Sequence, residues 1–237
     1  MPDKPQGSHV AECFTATHHA LLFAWLSKAA IERAGTARGE EAVLKAVRRY
    51  GRERGGRMAL RAHAAGDTLS MANFMAYGEW QAAPGESEQT VVQEEGQVRS
   101  AVHRCPWSVA WDTEGLTPYG RFYCLEIDSS LVKGYNASLD LDVLCTRPND
   151  GKDCVFVFRG VEETVQRKGA VMSWEYHCGH LYKTVSEVLE AELGDVGPEV
   201  KQDALKAFSG RFGEEAAAAL ETWLGTDFTR LPDGAAG

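Results

Sequence analysis

Cys124 and Asp128 stand four residues apart in GRFYCLEIDSS, a spacing that on a helix points a thiol and a carboxylate to one side. A thiol attacks as its thiolate, and a neighbouring carboxylate alone raises the pKa that must fall. The missing partner is a base, and His177 and His180 in WEYHCGHLY are the best placed in the sequence. Three residues apart, they face nearly the same way on a helix. A single histidine is ordinarily a core or surface residue, but two flanking Cys178 among aromatics favour a site. Cys124 would then be the nucleophile, His177 or His180 its base, and Asp128 an orienting or proton-relaying carboxylate. Cys105 would line the same pocket or act as an alternative nucleophile. Tyr119, Tyr123 and Asn136 would donate hydrogen bonds to developing charge, and Trp107 would wall a pocket for a planar ligand.

A metal offers a second route. His177 and His180 with Cys124, or Asp142 with Cys145 and Cys154 across a hairpin, supply nitrogen, sulfur and oxygen ligands that suit zinc or iron. Neither set has the paired CxxC spacing of a strong zinc motif, so the simpler expectation is a site without a cofactor. Cysteines in strands are usually small buried hydrophobes. Cys13, His18 and His19 are expected to be structural. Phosphate loops rich in glycine and a GxSxG elbow are both absent.

Composition narrows the class. A chain of 237 residues with 44% hydrophobic and 25% charged residues is long enough for one domain with a core and an internal pocket. Its net charge of -9 excludes a basic nucleic-acid face. The apolar run 20–26 lacks a basic leader and a cleavage site, and no stretch reaches the roughly 20 apolar residues of a membrane helix. The expectation is a cytoplasmic protein with a small-molecule substrate and free thiols, and a homo-oligomer is left open.

The elements that must hold these residues follow from periodicity and punctuation. Helices are expected over 10–34, closed by Gly35, and over 39–65, closed by Gly66, with Gly55–Gly56 marking a kink or a close contact. Arg48, Arg49, Arg52, Arg54 and Arg57 read as a solvated face, because acidic residues are interleaved. A short helix over 68–75 precedes strands over 75–81, 88–94 and 97–104. Residues 116–135 read as a helix with proline at its start and glycine near its end. Two strands, 139–145 and 154–159, are joined by the turn-rich Pro148–Asn149–Asp150–Gly151. Residues 174–193 form a helix capped by Ser173, and a last helical region from Pro198 to Leu224 is interrupted at Gly210 and Gly213. The sum is an α+β fold, a small antiparallel sheet packed with several helices, in one domain over 10–225. A disordered leader over 1–9 and a loose tail over 226–237 flank it.

Most of the chain resembles the bacterial L-2-amino-thiazoline-4-carboxylic acid hydrolase family. The resemblance rests on GEEAVLKAVRRYGRERGGRMA, on Cys105–Pro106, on YCLEIDSSLVKGYNASLDL, on GKDCVFVF and on WEYHCGHLYKTVSEVLEAELG. It implies a hydrolase that opens a small cyclic amidine, aminothiazoline carboxylate, to a carbamoyl cysteine, by attack on a C–N bond of a C=N or amide-like group. The hairpin DVLCTRPNDGKDCVFVF is also similar to 4-vinyl-reductase-type ligand-binding domains, some of which hold zinc through residues matching Asp142, Cys145 and Cys154. Their further upstream cysteine falls near Pro118 here. That likeness implies a 4-vinyl-reductase-like core between N- and C-terminal helices. It also raises an alternative to an enzyme, a non-catalytic sensor or carrier. A third reading, independent of that likeness, is an inactive family member that serves as an interaction partner.

Overall fold

The segment ATHHALLFAWLSKAAIERA is apolar on nearly every side, and it forms helix α1 (Ala16–Ala34), buried on most of its faces. The computed structural model describes residues 14–149 and 151–232, so the expected leader and Cys13 lie outside the described residues. Gly35 at φ +82° breaks α1, and α2 (Thr36–Ala64) begins at once rather than at Gly39. Helix α2 lies along α5 (Thr117–Tyr135) on a seam of glycines. A Cβ on Gly55 would come 2.0 Å from the Leu131 carbonyl oxygen, so only a glycine admits this approach. Gly55 is thus a packing contact while Gly56 faces open space, and α2 runs through both unbroken.

Helix α4 (Pro106–Thr113), which sequence periodicity did not reveal, packs against α1 and α5. Proline at its start suits a position whose N–H has no helical partner. Trp111 fixes it to α1 through a 2.8 Å bond from Nε1 to the Ala20 carbonyl. Helix α6 (Trp174–Leu193) starts where Ser173 Oγ accepts from the Tyr176 amide at 3.2 Å. Helix α7 (Gly197–Phe212) and α8 (Glu214–Glu221) close the bundle. Gly210 stays inside α7, and the break falls at Gly213, where φ is +92°. Leu21, Phe23, Tyr50, Trp111, Leu181 and Phe208 are among the side chains buried where these helices meet.

Strands β1 (Glu88–Glu94), β2 (Gln97–Arg104), β3 (Leu141–Cys145) and β4 (Cys154–Arg159) form one antiparallel sheet in the order β1-β2-β4-β3. The fold is α+β, as the sequence indicates. Pairing sets Val91, Ser100, Phe156 and Val143 in one cross-strand row, with Gln89, Val102 and Cys154 in the next. Met71, Val98, Val132 and Val161 pack together and close one end of the space between this face and the helices. Elsewhere the face and the helices stay apart and enclose a cavity.

Two segments depart from expectation. Residues 75–81 join no sheet. Helix α3 (Met71–Ala76), capped by Ser70, takes the first of them, and the rest is a loop bonded to the segment before α6. The Met172 amide donates to the Glu79 carbonyl at 2.8 Å. Glu79 in this loop points into the protein, where arginines hold it. Residues 226–232, expected to be loose, seat Phe228 in the interior, stacked 4.5 Å from His180. Among the described residues no helix is long and apolar enough to cross a membrane.

Candidate active site

Helix α5 carries Tyr123, Cys124, Ile127, Asp128 and Leu131 at helical spacing, and all five line one chamber of about 140 Å³. Cys105 and Trp107 at the start of α4, Cys154 and Phe156 of β4, and Arg54 of α2 complete its wall. The chamber opens into a larger one of about 530 Å³, and Arg54, Trp80, Gln89, Asp128, Leu131 and Phe156 border both. The sequence-predicted residues Cys105, Cys124, Asp128, Tyr123 and Trp107 therefore meet in one place, as does Cys154.

The electrostatics of this chamber rest on a buried layer behind it. Tyr50, Arg54, Arg57 and Arg61 continue the buried stripe of α2 at three- and four-residue steps, and all four are buried. Expecting a solvated face there was wrong for Arg54 and Arg57, while Arg49 and Arg52 are exposed. The three arginines converge on Glu79, which is fully buried. Arg57 Nη2 reaches it at 2.9 Å, Arg61 Nη1 at 2.6 Å and Arg54 Nε at 3.3 Å. Burial pushes the Glu79 carboxyl up, but Arg57 and Arg54 outweigh it and hold the group well below the usual carboxylate range. Three guanidinium groups on one carboxylate leave positive charge in excess, and Arg54 presents it to the cavity. Among the described residues, the one hydrogen bond of Arg54 is from Nε to Glu79, and its guanidinium lies 5.6 Å from the Tyr50 ring.

Asp128 faces the chamber within the field of Arg54 but without an ion pair to it among the described residues. Burial raises its carboxyl, Arg54 pulls it part of the way back, and the result is about 6. It is therefore mostly ionised at neutral pH and close to accepting a proton. The thiols differ. Burial pushes Cys124 well above its ordinary value, Cys105 and Asp128 adding to the effect, and burial raises Cys105 too. Both are neutral thiols at pH 7.

The histidines stand in the arginine layer, not in the chamber. His177 Nε2 lies 2.9 Å from the Glu79 carbonyl, which can only accept, so this nitrogen carries the proton. Its Nδ1 is buried without a partner among the described residues. His180 accepts from Arg57 at Nδ1 (3.3 Å) and donates from Nε2 to Glu53 at 2.8 Å. His19, expected to be structural, accepts from Trp107 Nε1 at Nδ1 and donates to the Tyr50 hydroxyl, each at 3.0 Å. Burial and the nearby arginines lower His177 to about 3 and keep His180 well below its ordinary value. Burial and the proximity of His177 lower His19 likewise. The structure does not bring His177 or His180 to Cys124, and neither holds a second proton near neutral pH.

Other expected contributors lie apart. Tyr119 donates to Glu32 at 3.2 Å on the surface, against α1. Asn136 caps the far end of α5, donating to the Leu69 carbonyl at 2.8 Å and accepting from the Ser138 amide at 2.9 Å. At 1.5 Å per residue it stands about 18 Å along the helix from Cys124. Asp142 pairs with Arg159 Nε at 2.8 Å, Cys145 Sγ donates to the Asp153 carbonyl at 3.4 Å, and Cys154 Sγ accepts from the Arg147 amide at 3.3 Å. Among the described residues, no three His, Cys, Asp or Glu side chains are grouped to hold a metal ion, so neither expected ligand set assembles.

Residues 15–158 match the model of the L-2-amino-thiazoline-4-carboxylic acid hydrolase family, more than half of the chain. The chain belongs to this family. The match contains every residue of the inner chamber together with Arg57, Arg61 and Glu79. His177 and His180 lie beyond its end. No curated protein and no solved structure matches the chain, so the likeness to 4-vinyl-reductase-type domains rests on the hairpin sequence alone.

Proposed function

We propose that this family member hydrolyses a small cyclic amidine bearing a carboxylate, with Asp128 as the group that moves protons. The observation that carries this reading is one chamber holding an Asp128 carboxyl near pKa 6, a buried Arg54 and aromatic walls from Trp107 and Tyr123. Arg54 takes the substrate carboxylate, the anion its excess positive charge favours. The planar ring lies in the inner chamber, against Trp107 and Tyr123.

Asp128 then removes a proton from water as the water oxygen adds to the amidine carbon, and that proton goes to the ring nitrogen. The tetrahedral adduct collapses as its hydroxyl becomes a carbonyl. The hydroxyl proton passes through Asp128 to the departing ring atom. A carbamoyl product keeps both nitrogens on this carbon, so for aminothiazoline carboxylate the bond that breaks is C–S and not C–N. Cys124 serves in this account as a neutral wall of the chamber, because burial, Cys105 and Asp128 push its thiol up and, among the described residues, no histidine lines the chamber beside it. The free thiols of Cys105, Cys124, Cys145, Cys154 and Cys178 suit a reducing compartment, and we place the protein in the cytoplasm.

The test is incubation with L-2-aminothiazoline-4-carboxylate, following release of a new thiol and a product heavier by one water. Turnover by the wild type and its loss in Asp128→Asn is the expected result. Saturable binding without turnover would overturn the hydrolase reading and favour the sensor or carrier.

A further inference from the structure

The inner chamber, at about 140 Å³, suits a five-membered ring, but it is the smaller part of the cavity. The outer chamber, at about 530 Å³, falls by itself within the ~300–1,000 Å³ of ordinary small-molecule sites. Its walls are largely apolar, with Met58 from α2, Phe74 and Met75 from α3, and Leu141, Phe156 and Phe158 from the sheet. The charged groups that border it away from the neck already have partners. Arg167 donates from Nη2 to the Gly78 and Trp80 carbonyls at 2.8 and 2.9 Å, and Glu79 is held by the arginines. A ligand confined to the inner chamber would leave this apolar surface wet, beside the atoms that bind it.

We propose that the substrate carries a neutral apolar substituent, aromatic or branched aliphatic, which fills the outer chamber while the ring occupies the inner one. This rests on the hydrolase reading for the position of the ring and extends it to a larger substrate. Arg54 and Asp128, which border both chambers, stand where ring and substituent join. The substituent covers Phe156 and Phe158 and displaces water from the neck.

Catalytic efficiency on 2-aminothiazoline-4-carboxylate is compared with that on two benzyl derivatives, one substituted at the exocyclic nitrogen and one at the ring carbon bearing hydrogens. At least one derivative is expected to show a kcat/KM higher by roughly tenfold or more. Leu141→Arg places a charge in the outer chamber, and Met75→Gln makes its rim polar. Each is expected to lower the ratio of substituted to bare substrate, with circular dichroism establishing that the variant is folded. Turnover of the bare ring with neither derivative better would overturn the proposal and leave the hydrolase reading standing. Where none of the three is turned over, calorimetric binding of the same compounds decides. A derivative bound about tenfold tighter, with the difference lost in the folded variants, supports the proposal while the hydrolase reading fails. Equal binding, or none, overturns it.

Discussion

Glu79→Gln removes one charge and almost no volume, and it isolates what holds the arginine layer together. The wild-type carboxylate is fully buried and receives Arg57, Arg61 and Arg54 at 2.9, 2.6 and 3.3 Å. Without it three guanidinium groups share a buried space with no ionised partner, and breaking a buried ion pair from one side costs about 3–5 kcal/mol. For a chain of this length each kcal/mol moves Tm by about 2–4 °C, so the variant should melt lower by about 6–20 °C. Asp142→Asn is the control. Its partner Arg159 is 64% exposed, and such a pair contributes below about 1 kcal/mol. The pH dependence has a definite sign. Arg57 and Arg54 overcome the upward push of burial and depress the folded-state pKa of Glu79 below its unfolded value of about 4.3. Its contribution is therefore full above that value and fades as pH falls toward the folded one. Differential scanning calorimetry should find the gap between wild type and variant constant from about pH 6 to 8 and narrowing below about pH 4. A Glu79→Gln protein within about 1 kcal/mol of wild type at pH 7, or a gap unchanged at acid pH, would refute a buried ionic centre here.

Further expectations follow from the same geometry. Arg54→Met should raise KM for a carboxylate substrate by roughly 10- to 150-fold, the worth of a hydrogen bond to a charged group, with Arg54→Lys intermediate; steady-state kinetics checks both, and an unchanged KM removes Arg54 from recognition. Cys124→Ser should keep activity within about tenfold, whereas Asp128→Asn should lose roughly 10²- to 10⁴-fold; an inactive serine variant would restore the thiol as nucleophile. Gly55→Ala forces a Cβ against the Leu131 carbonyl and should destabilise by about 1–3 kcal/mol or more in chemical denaturation; a neutral effect would contradict the close α2–α5 seam.

Much of this architecture is legible in the sequence because local signals carry it. Ser173 and Gly194 bracket α6, Gly35 separates the first two helices, and alternation marks β2. The grouping of Cys124, Asp128 and Tyr123 follows from helical spacing, since one helix carries all three. Contacts between elements are another matter. His177 and His180 share a face of α6, but nothing in their spacing tells whether that face meets α5 or the arginines of α2. It meets the arginines, and tertiary packing turns an expected base into a neutral hydrogen-bond partner.

Arg54 and Arg57 are buried although charge in a helix usually means solvent. The signal that finds them is phase. Val43, Val47, Tyr50, Arg54, Arg57 and Arg61 keep one buried stripe, and Arg49 and Arg52 fall off it. Glu79 offers no comparable signal. It is one acid among many in a loop, and only the convergence of three arginines distinguishes it.

The central claim is that Asp128, poised near neutrality by burial against Arg54, moves the protons of hydrolysis. The pH dependence of kcat/KM on the aminothiazoline substrate tests it most directly. The ionised carboxylate is the active form, so efficiency should rise with pH through an apparent pKa of about 6 and then level off, and Asp128→Asn should lack that limb. A profile flat from about pH 5 to 8, or one retained intact in Asp128→Asn, would contradict it.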